Sequence, residues 1–504
     1  MNKTVLTPFT ILCLLSTVFL MGLAFNIQPV RAEPKTWTVD DDGPADFHTI
    51  QEAVNAANSG DTIYVYNGTY YENVVVNETI ALIGESRSTT IIDGNETGNV
   101  VTIIQNNVRI TDFTIQKSGD YPNAGICVKN ASYCILTKNE VTRNDNGVRL
   151  NSSNHNRVID NKITGNIYFG IIIYESGYNT LSENSVTNNH VAIFSYHSSS
   201  NTISGSEIAH NNYGISISTG SSNNTIVDNK ITGNIYHGIS LFSSSDNTIS
   251  RNDIRANTWQ GIYLSESSNN HILGNNVRAN GEGIWIGILC WDNTLYHNNF
   301  VDNARQIGPL FPLVVSVAWD DGYPSGGNYW SDYNGTDSYS GPYQNITGSD
   351  GIGDTPYVIG ENNQDNYPLM GMFSDFNVTS EYHVQTICNS SISDFQFNST
   401  AITFNVTGEN GTTGFCRICI PKALINETYS VFVNGTEVEC TPLTDISNTT
   451  HNYIYFNYTH STQDVVIIPE FPSFLVLPLF MIATLLAVIV YKRKHQTRNK
   501  KREV

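Results

Sequence analysis

From about Gly125 to Asn303 the pattern Gly-Ile-x-Leu, Asn-Thr-Ile, Asn-x-Ile, Asn returns every 22 to 24 residues of this chain. A glycine phase runs Gly125, Gly147, Gly170, then Ala192 in the glycine slot, Gly214, Gly238, Gly261 and Gly283. Asparagines keep step in two files, one through Asn144, Asn166, Asn189, Asn211, Asn234, Asn257, Asn280 and Asn303, the other through Asn139, Asn161, Asn184, Ser206, Asn229, Asn252, Asn275 and Asn298. Self-similarity at this period means one supersecondary unit stacked on itself, because a lone unit has nothing to cover its apolar face. The apolar clusters alternate over three residues, as in Ile239-Ser240-Leu241 and Ile284-Trp285-Ile286, which is a strand period. Three short strands per repeat, separated by Asn, Gly and Ser turns, predict an all-β chain built as a right-handed parallel β-helix with one coil per repeat. Asparagine tolerates left-handed backbone and bonds its own chain, so equivalent turns are expected to form side-chain ladders. A leucine-rich repeat has similar length, but its leucine spacing and helical segment are missing.

The ends of the chain constrain its compartment. Residues 1–32 read as an export signal, with Lys3, an apolar run and a small-residue site at Val30-Arg31-Ala32. Residues 474–491 are uncharged and long enough to span a bilayer, and the basic tail of residues 492–504 sets the cytoplasmic side. The expectation is a single-pass protein displayed on the extracellular side of the membrane. Lys3, Arg31 and seven tail cations hold nine of the 26 basic residues, and only Glu503 of the 46 acidic ones falls in these segments, which leaves 17 basic against 45 acidic. Such a surface repels nucleic acid. Sequons such as Asn67, Asn334 and Asn426 offer glycan sites in an exported chain, and an Asn/Thr-rich strand protein also produces them by chance.

The expected organisation is a cap with irregular first coils over residues 33–124, regular coils over 125–305, and a Gly/Asp-rich C-terminal cap over 306–374. A small β-sandwich over 375–468 and a Pro-Glu-Phe linker over 469–473 follow. Thr49-Ile-Gln-Glu52 reads as a capping box opening a short helix that plugs the column. Cys388, Cys416, Cys419 and Cys440 in one exported domain allow two disulfides of undetermined connectivity. Cys416 and Cys419, three apart on a strand, face opposite sides, which argues against a redox Cys-x-x-Cys motif.

The stretch Phe47-His-Thr-Ile-Gln-Glu-Ala-Val-Asn-Ala-Ala57, then Gly60-Asp-Thr-Ile-Tyr-Val65 and Ile91-Ile-Asp-Gly94, resembles the first coils of pectin-lyase-like β-helix proteins. The repeats, with Gly327-Asn-Tyr-Trp-Ser-Asp-Tyr333 and Asp350-Gly-Ile-Gly-Asp-Thr-Pro-Tyr357, resemble the NosD-type family. That resemblance covers residues 37–370. It implies the fold, a kinship with carbohydrate-binding and sugar-hydrolysing repeats, and an association with copper-enzyme maturation. The tail is similar to the tripartite tail of archaeal surface proteins.

Hydrolytic β-helices place carboxylates on adjacent coils as acid and base, and the polygalacturonase-like and pectin-esterase-like sets are missing from these repeats. The aromatic signal is stronger. Positions two and four after the glycine slot point outward and hold Tyr174, Phe194, Tyr196, Phe242, Tyr263 and Trp285, rings suited to the apolar faces of sugars. A second packed layer is the competing reading. Glu207, Lys230 and Asp253 share one register as a charge ladder, and Arg255 stacks on Arg278, unfavourable unless an anion or Asp253 lies between. Asp337, Asp350 and Asp354 in a Gly-rich loop offer oxygen ligands for calcium, or backbone caps. Copper needs grouped soft or imidazole ligands, whereas His155, His190, His197, His210, His237, His271 and His297 fall in differing registers. The sequence thus predicts a surface protein binding polysaccharide or a cell-envelope glycan, with a polysaccharide-processing enzyme and a copper-maturation accessory as alternatives. Its oligomeric state is open.

Overall fold

A computed structural model of the chain describes residues 33–309, 316–398, 400–425, 428–443 and 450–469. The signal-like segment 1–32 and the apolar run 474–491 lie outside the described residues. Among the described residues no helix is long and apolar enough to cross a membrane.

Three parallel sheets of 13, 12 and 11 strands wrap a right-handed column of about 12 turns. In each coil the chain visits sheet one (the strands from Thr36–Val39 to Ser316–Ala318), sheet two (Gly68–Tyr71 to Tyr329–Trp330) and sheet three (Val74–Val76 to Arg305–Ile307). Each strand pairs in register with its counterpart one repeat away, as Ile231 with Ile254 and Ile262 with Ile284. One apolar file from sheet one, one from sheet two and two from sheet three (through Ile215 and Ile217) therefore point inward and stack on themselves, giving a continuous core from Val39 to Trp330. The first coils join the same three sheets, and the segment Tyr70 to Val76, read from sequence as one strand, is two strands meeting at a corner. At the far end the ladder runs beyond residue 305 through Ser316–Ala318 and Tyr329–Trp330, where Trp319 and Trp330 close the core.

The corners explain the asparagines. In the sheet one to two corner, Asn229 Oδ1 accepts from the Ser206 amide, Asn252 Oδ1 accepts from the Asn229 amide and side chain, and Asn229 Nδ2 also donates to the Ile203 and Val227 carbonyls. Each side chain thus satisfies turn amides and carbonyls that burial would otherwise strand. A third file the sequence reading did not separate, Asn156, Asn179, Asn201, Asn224, Asn247, Asn270 and Asn293, does the same between sheets three and one. At the other edge of that turn serines take over, the Ser153 amide donating to the Ser176 hydroxyl and the Ser176 amide to the Ser198 hydroxyl, while the Ser153 carbonyl accepts from Asn179 Nδ2. The left-handed residue is the one before each ladder asparagine, such as Asp228, Arg251 and Ala256, and not the asparagine itself. The asparagine must keep an ordinary backbone so that its carboxamide points along the column.

Glycine fills its slot because a Cβ at Gly238 would sit 2.7 Å from the Gly261 carbonyl oxygen and 2.8 Å from Ile254. The short helix Ile50–Ala56 plugs the N-terminal end, with Thr49 accepting from the Glu52 amide. The reciprocal partner of a capping box is supplied from elsewhere: Glu72, not Glu52, takes the first helical amides, those of Ile50 and Gln51.

Beyond the column, two five-stranded antiparallel sheets enclose a second core that includes Phe404, Ile418, Val431, Phe456 and Ile467. This unit is docked firmly on the C-terminal cap. Asn299 and Phe373 exchange a pair of hydrogen bonds of 2.8 Å, and the Phe373 ring stacks on His297 at 4.0 Å. Arg417, buried on the strand Thr413–Pro421, donates to the Asp350 and Pro324 carbonyls and lies 3.7 Å from the Asp350 carboxylate.

Candidate functional site

The outward side chains of sheet three fall into files set by the pairing register. One reads Arg149, Ile172, Phe194, Ser216, Ser240, Tyr263, Trp285; its neighbour reads Asn151, Tyr174, Tyr196, Ser218, Phe242, Ser265. All six rings singled out in the sequence lie on this one surface, in two groups. Tyr174 and Tyr196 stack at 5.5 Å, with Phe194 6.3 Å from Tyr196 and stacked on Phe169. Tyr263 and Trp285 stack at 4.7 Å. Phe242 is the most open of the six, 44% exposed, whereas the other five are half-buried.

In-register stacking has a consequence that periodicity alone does not reveal. Rings on successive coils cover one another's faces and turn their edges to solvent, so a face is free only where a file is interrupted. Gly287 and Gly308 close against the far side of Trp285. The interruption lies in the middle, where Ser218 separates Tyr196 from Phe242 and the serines Ser216 and Ser240 separate Phe194 from Tyr263. With roughly 4.8 Å per coil, Tyr196 and Phe242 stand roughly 10 Å apart along the column, about twice the spacing of a stacked pair.

Residues not anticipated from sequence complete this wall. Tyr213 stacks on Tyr236 at 4.6 Å, Trp259 meets Tyr236 edge-on at 4.9 Å, and His237 stacks on Tyr263 at 4.6 Å. They sit at or just before the glycine slot, so the three-residue alternation that flagged the other rings passed over them. Burial pushes the His237 imidazole below its ordinary pKa, with the Gln260 side chain opposing, so the ring is neutral at pH 7. His237 Nδ1 and Gln260 Oε1 are both enclosed without a hydrogen-bond partner, while Gln260 Nε2 donates to Glu282, itself 3.6 Å from Arg305. His237 Nδ1 is thus enclosed in the wall, and Gln260 is the polar side chain that interacts with the ring.

The charged candidates are accounted for within the fold. Lys230 meets Glu207 at 2.7 Å, and Asp253 takes both Arg278, through paired hydrogen bonds, and Arg255 at 3.5 Å. Asp253 therefore relieves the arginine stack. Asp337 accepts from the Asp350 and Gly351 amides, Asp350 from the Ile352 amide and the Tyr323 hydroxyl, and Asp354 from the Ser338 and Tyr339 amides. Burial raises the Asp337 carboxyl to about 7. Asp350 organises its own turn, whereas Asp337 caps the segment at 350–351 and Asp354 the segment at 338–339. The one trio of metal-capable side chains with atoms within 4.8 Å among the described residues is Asp40, Asp41 and Asp42. The histidines do not converge: His155 is stacked between Tyr133 and Tyr178, and His297 is buried against Phe373. Among the described residues no group of three or more histidine and cysteine side chains of the kind copper favours falls together. A cleft of about 960 Å³ between sheet one and the two-sheet unit is lined by Arg251, Tyr296, Asp375, Tyr382, His383 and Lys422, among others. Its charges are partly spent on one another, Asp375 on His383 and Arg251 on Asp228.

The fold and its outward files define a solenoid of the parallel β-helix class. The family model described as periplasmic copper-binding protein (NosD) matches residues 54–234 and 217–335, and the chain belongs to that family. No curated protein matches the chain. Among solved structures, the Dettilon tailspike protein (gp208) is similar at a TM-score of 0.44 and 14% identity, covering 81% of this chain and 87% of the tailspike chain. The A-module of the Azotobacter vinelandii mannuronan C-5 epimerase AlgE6 is similar at 0.43 and 15%, covering 53% and 92%. Pectate lyase Pel9A is similar at 0.39 and 15%, covering 62% and 84%.

Proposed function

We propose that the chain is an envelope-surface protein that binds a polysaccharide crossing sheet three, with one sugar residue seated between Tyr196 and Phe242. The observation that carries this reading is the serine interruption of two aromatic files. A flat pyranose over Ser218 would replace the missing ring of the file, one face towards Tyr196 and the other towards Phe242, with serine hydroxyls beneath it. Glycosidic bonds leave a pyranose within its plane, so a sugar seated this way runs its chain across the coils, past the neighbouring file at Ser216 and Ser240. Export and anchoring, as the chain ends suggest, would place the column outside the cell.

Calorimetric titration of the purified protein with polysaccharides chosen from a glycan array tests the proposal. Ser218→Trp fills the gap and is expected to abolish binding without lowering the melting temperature. Phe242→Ala is expected to weaken binding about fivefold, the weight of one ring contact of about 1 kcal/mol. Unchanged affinity in Ser218→Trp would sink the reading. A second reading is favoured by His237: a neutral imidazole beside the same surface suits proton abstraction from a sugar carbon, as in a lyase or epimerase. New chain ends or altered sugars after incubation, abolished in His237→Gln, would establish it in place of simple binding.

A further inference from the structure

The two-sheet unit carries a second set of reactive side chains, apart from the sugar-facing surface. The strands His383–Cys388 and Thr413–Pro421 pair antiparallel with Cys388 directly opposite Cys416. Opposed residues of such a pair have Cα atoms about 4.5 or about 5.5 Å apart, depending on whether they exchange backbone hydrogen bonds, and a disulfide accepts about 4.4–6.8 Å. Either kind of pair therefore permits the bond. Both side chains are buried and face the shared core from directly opposed positions. The other two cysteines of the unit do not compete. Cys419 lies on the opposite face, in the wall of the cleft, and Cys440 opposes Phe456, so the whole strand His451–Thr459 separates it from Cys416.

A hydrogen-bond chain leads away from this pair. The Tyr458 hydroxyl lies 3.3 Å from Cys388 Sγ and 2.7 Å from Ser390 Oγ; Ser390 Oγ lies 2.7 Å from His460 Nε2, and His460 Nδ1 lies 2.5 Å from Thr412 Oγ1. The His460 ring is gripped between Gly408 and Gly414, where any Cβ would strike it. The Cys416 thiol, the Tyr458 hydroxyl and the Ser390 amide all aim at the Cys388 sulfur and favour its thiolate, while complete burial keeps Cys416 protonated.

We infer that Cys388 and Cys416 are a dithiol–disulfide couple, and that the Tyr458, Ser390 and His460 chain is the path by which the Cys388 proton leaves. Hydrogen peroxide is an oxidant small enough to reach the site. The Cys388 thiolate attacks one peroxide oxygen, the O–O bond breaks, and the departing hydroxide takes up the proton held on the chain to leave as water. Cys416 sulfur then attacks the Cys388 sulfenic acid, forming the S–S bond and releasing a second water that carries the Cys416 proton. Two thiols and one peroxide become one disulfide and two waters. The bond ties the strand that carries Arg417 and Phe415 against the column to its neighbour in the same sheet.

The full chain is reduced, treated with hydrogen peroxide while folded, then denatured, alkylated, digested and read by mass spectrometry. The expected result is a reducible peptide pair joined through Cys388 and Cys416, and an unfolding midpoint that drops by several degrees on reduction. In Cys416→Ser that reductant dependence is expected to vanish, with Cys388 accumulating as a sulfenic acid trappable by dimedone. In Tyr458→Phe the link is expected to form about fivefold more slowly at pH 7, the effect of about one unit on a thiol that titrates at about 7. Full alkylation of both cysteines in the oxidised wild-type protein, or a link from either to Cys419 or Cys440, overturns the couple even if the variants do not fold. A wild-type rate in Tyr458→Phe overturns the proton path.

Discussion

A ladder asparagine is worth more than its own contacts, because its carboxamide serves the coil on either side. In Asn229→Ala the buried Ser206 amide loses its acceptor, and the buried Ile203 carbonyl and the half-buried Val227 carbonyl lose a donor. Stranding such groups costs about 1–3 kcal/mol each, so a loss of at least about 2 kcal/mol is expected in denaturant unfolding, against about 1 kcal/mol or less for Asp228→Ala, which loses only its exposed pair with Arg251. His297 makes a second prediction. Burial lowers its pKa to about 4, and its Nε2 faces the Ser325 carbonyl. A histidine depressed on folding contributes stability that is complete above its unfolded value of about 6.5 and is lost as pH falls from there towards 4, about 3 kcal/mol in all. Asp337 and Asp365, each raised to about 7, act with the opposite sign, stabilising at low pH and losing that contribution as pH rises through 7. Comparing melting curves of wild type and His297→Gln between pH 7 and pH 4 isolates the histidine: the wild type should lose its margin over the variant on acidification. The identity of the ladder residues was legible in the sequence; their backbone was not, since only the assembled corner shows that the residue before each asparagine makes the left-handed turn.

At the scale of a coil, the glycine slot is a steric rule with one visible exception. Ala192 occupies it, so a single methyl is accommodated where the next coil gives way. A branched side chain is not: Gly238→Val would press into the Gly261 carbonyl, Ile254 and Asn257 at once. Overpacking of this kind costs about 1–3 kcal/mol, and thermal melting of the variant should show it. The strand alternation correctly put Phe194, Tyr196, Tyr263 and Trp285 on one surface, because period two fixes the side on which each residue falls. It could not show that rings in register hide their faces, nor that His237, Tyr236 and Trp259, outside the alternation, belong to the same wall.

For the whole molecule the decisive contact is Arg417, which binds the two-sheet unit to the cap. In Arg417→Met the Asp350 carboxylate stays buried without its cation, and breaking a buried pair from one side costs about 3–5 kcal/mol. The expected outcome is a looser joint: two calorimetric transitions in place of one and a larger maximum dimension in small-angle X-ray scattering. A single sharp transition with unchanged dimensions would show that Asn299, Phe373 and His297 hold the joint by themselves.

The sequence by itself determined the column, because a fixed repeat of inward isoleucines and corner asparagines is satisfied only when identical coils stack, and this information is local and recurs in every coil. The tertiary structure alone decided what happens once, between distant segments. The free ring faces beside Ser218, the seat of Arg417 against Asp350 and the meeting of Cys388 with Cys416 all depend on side chains brought together by strand pairing and docking, and no periodic signal encodes a contact that does not repeat.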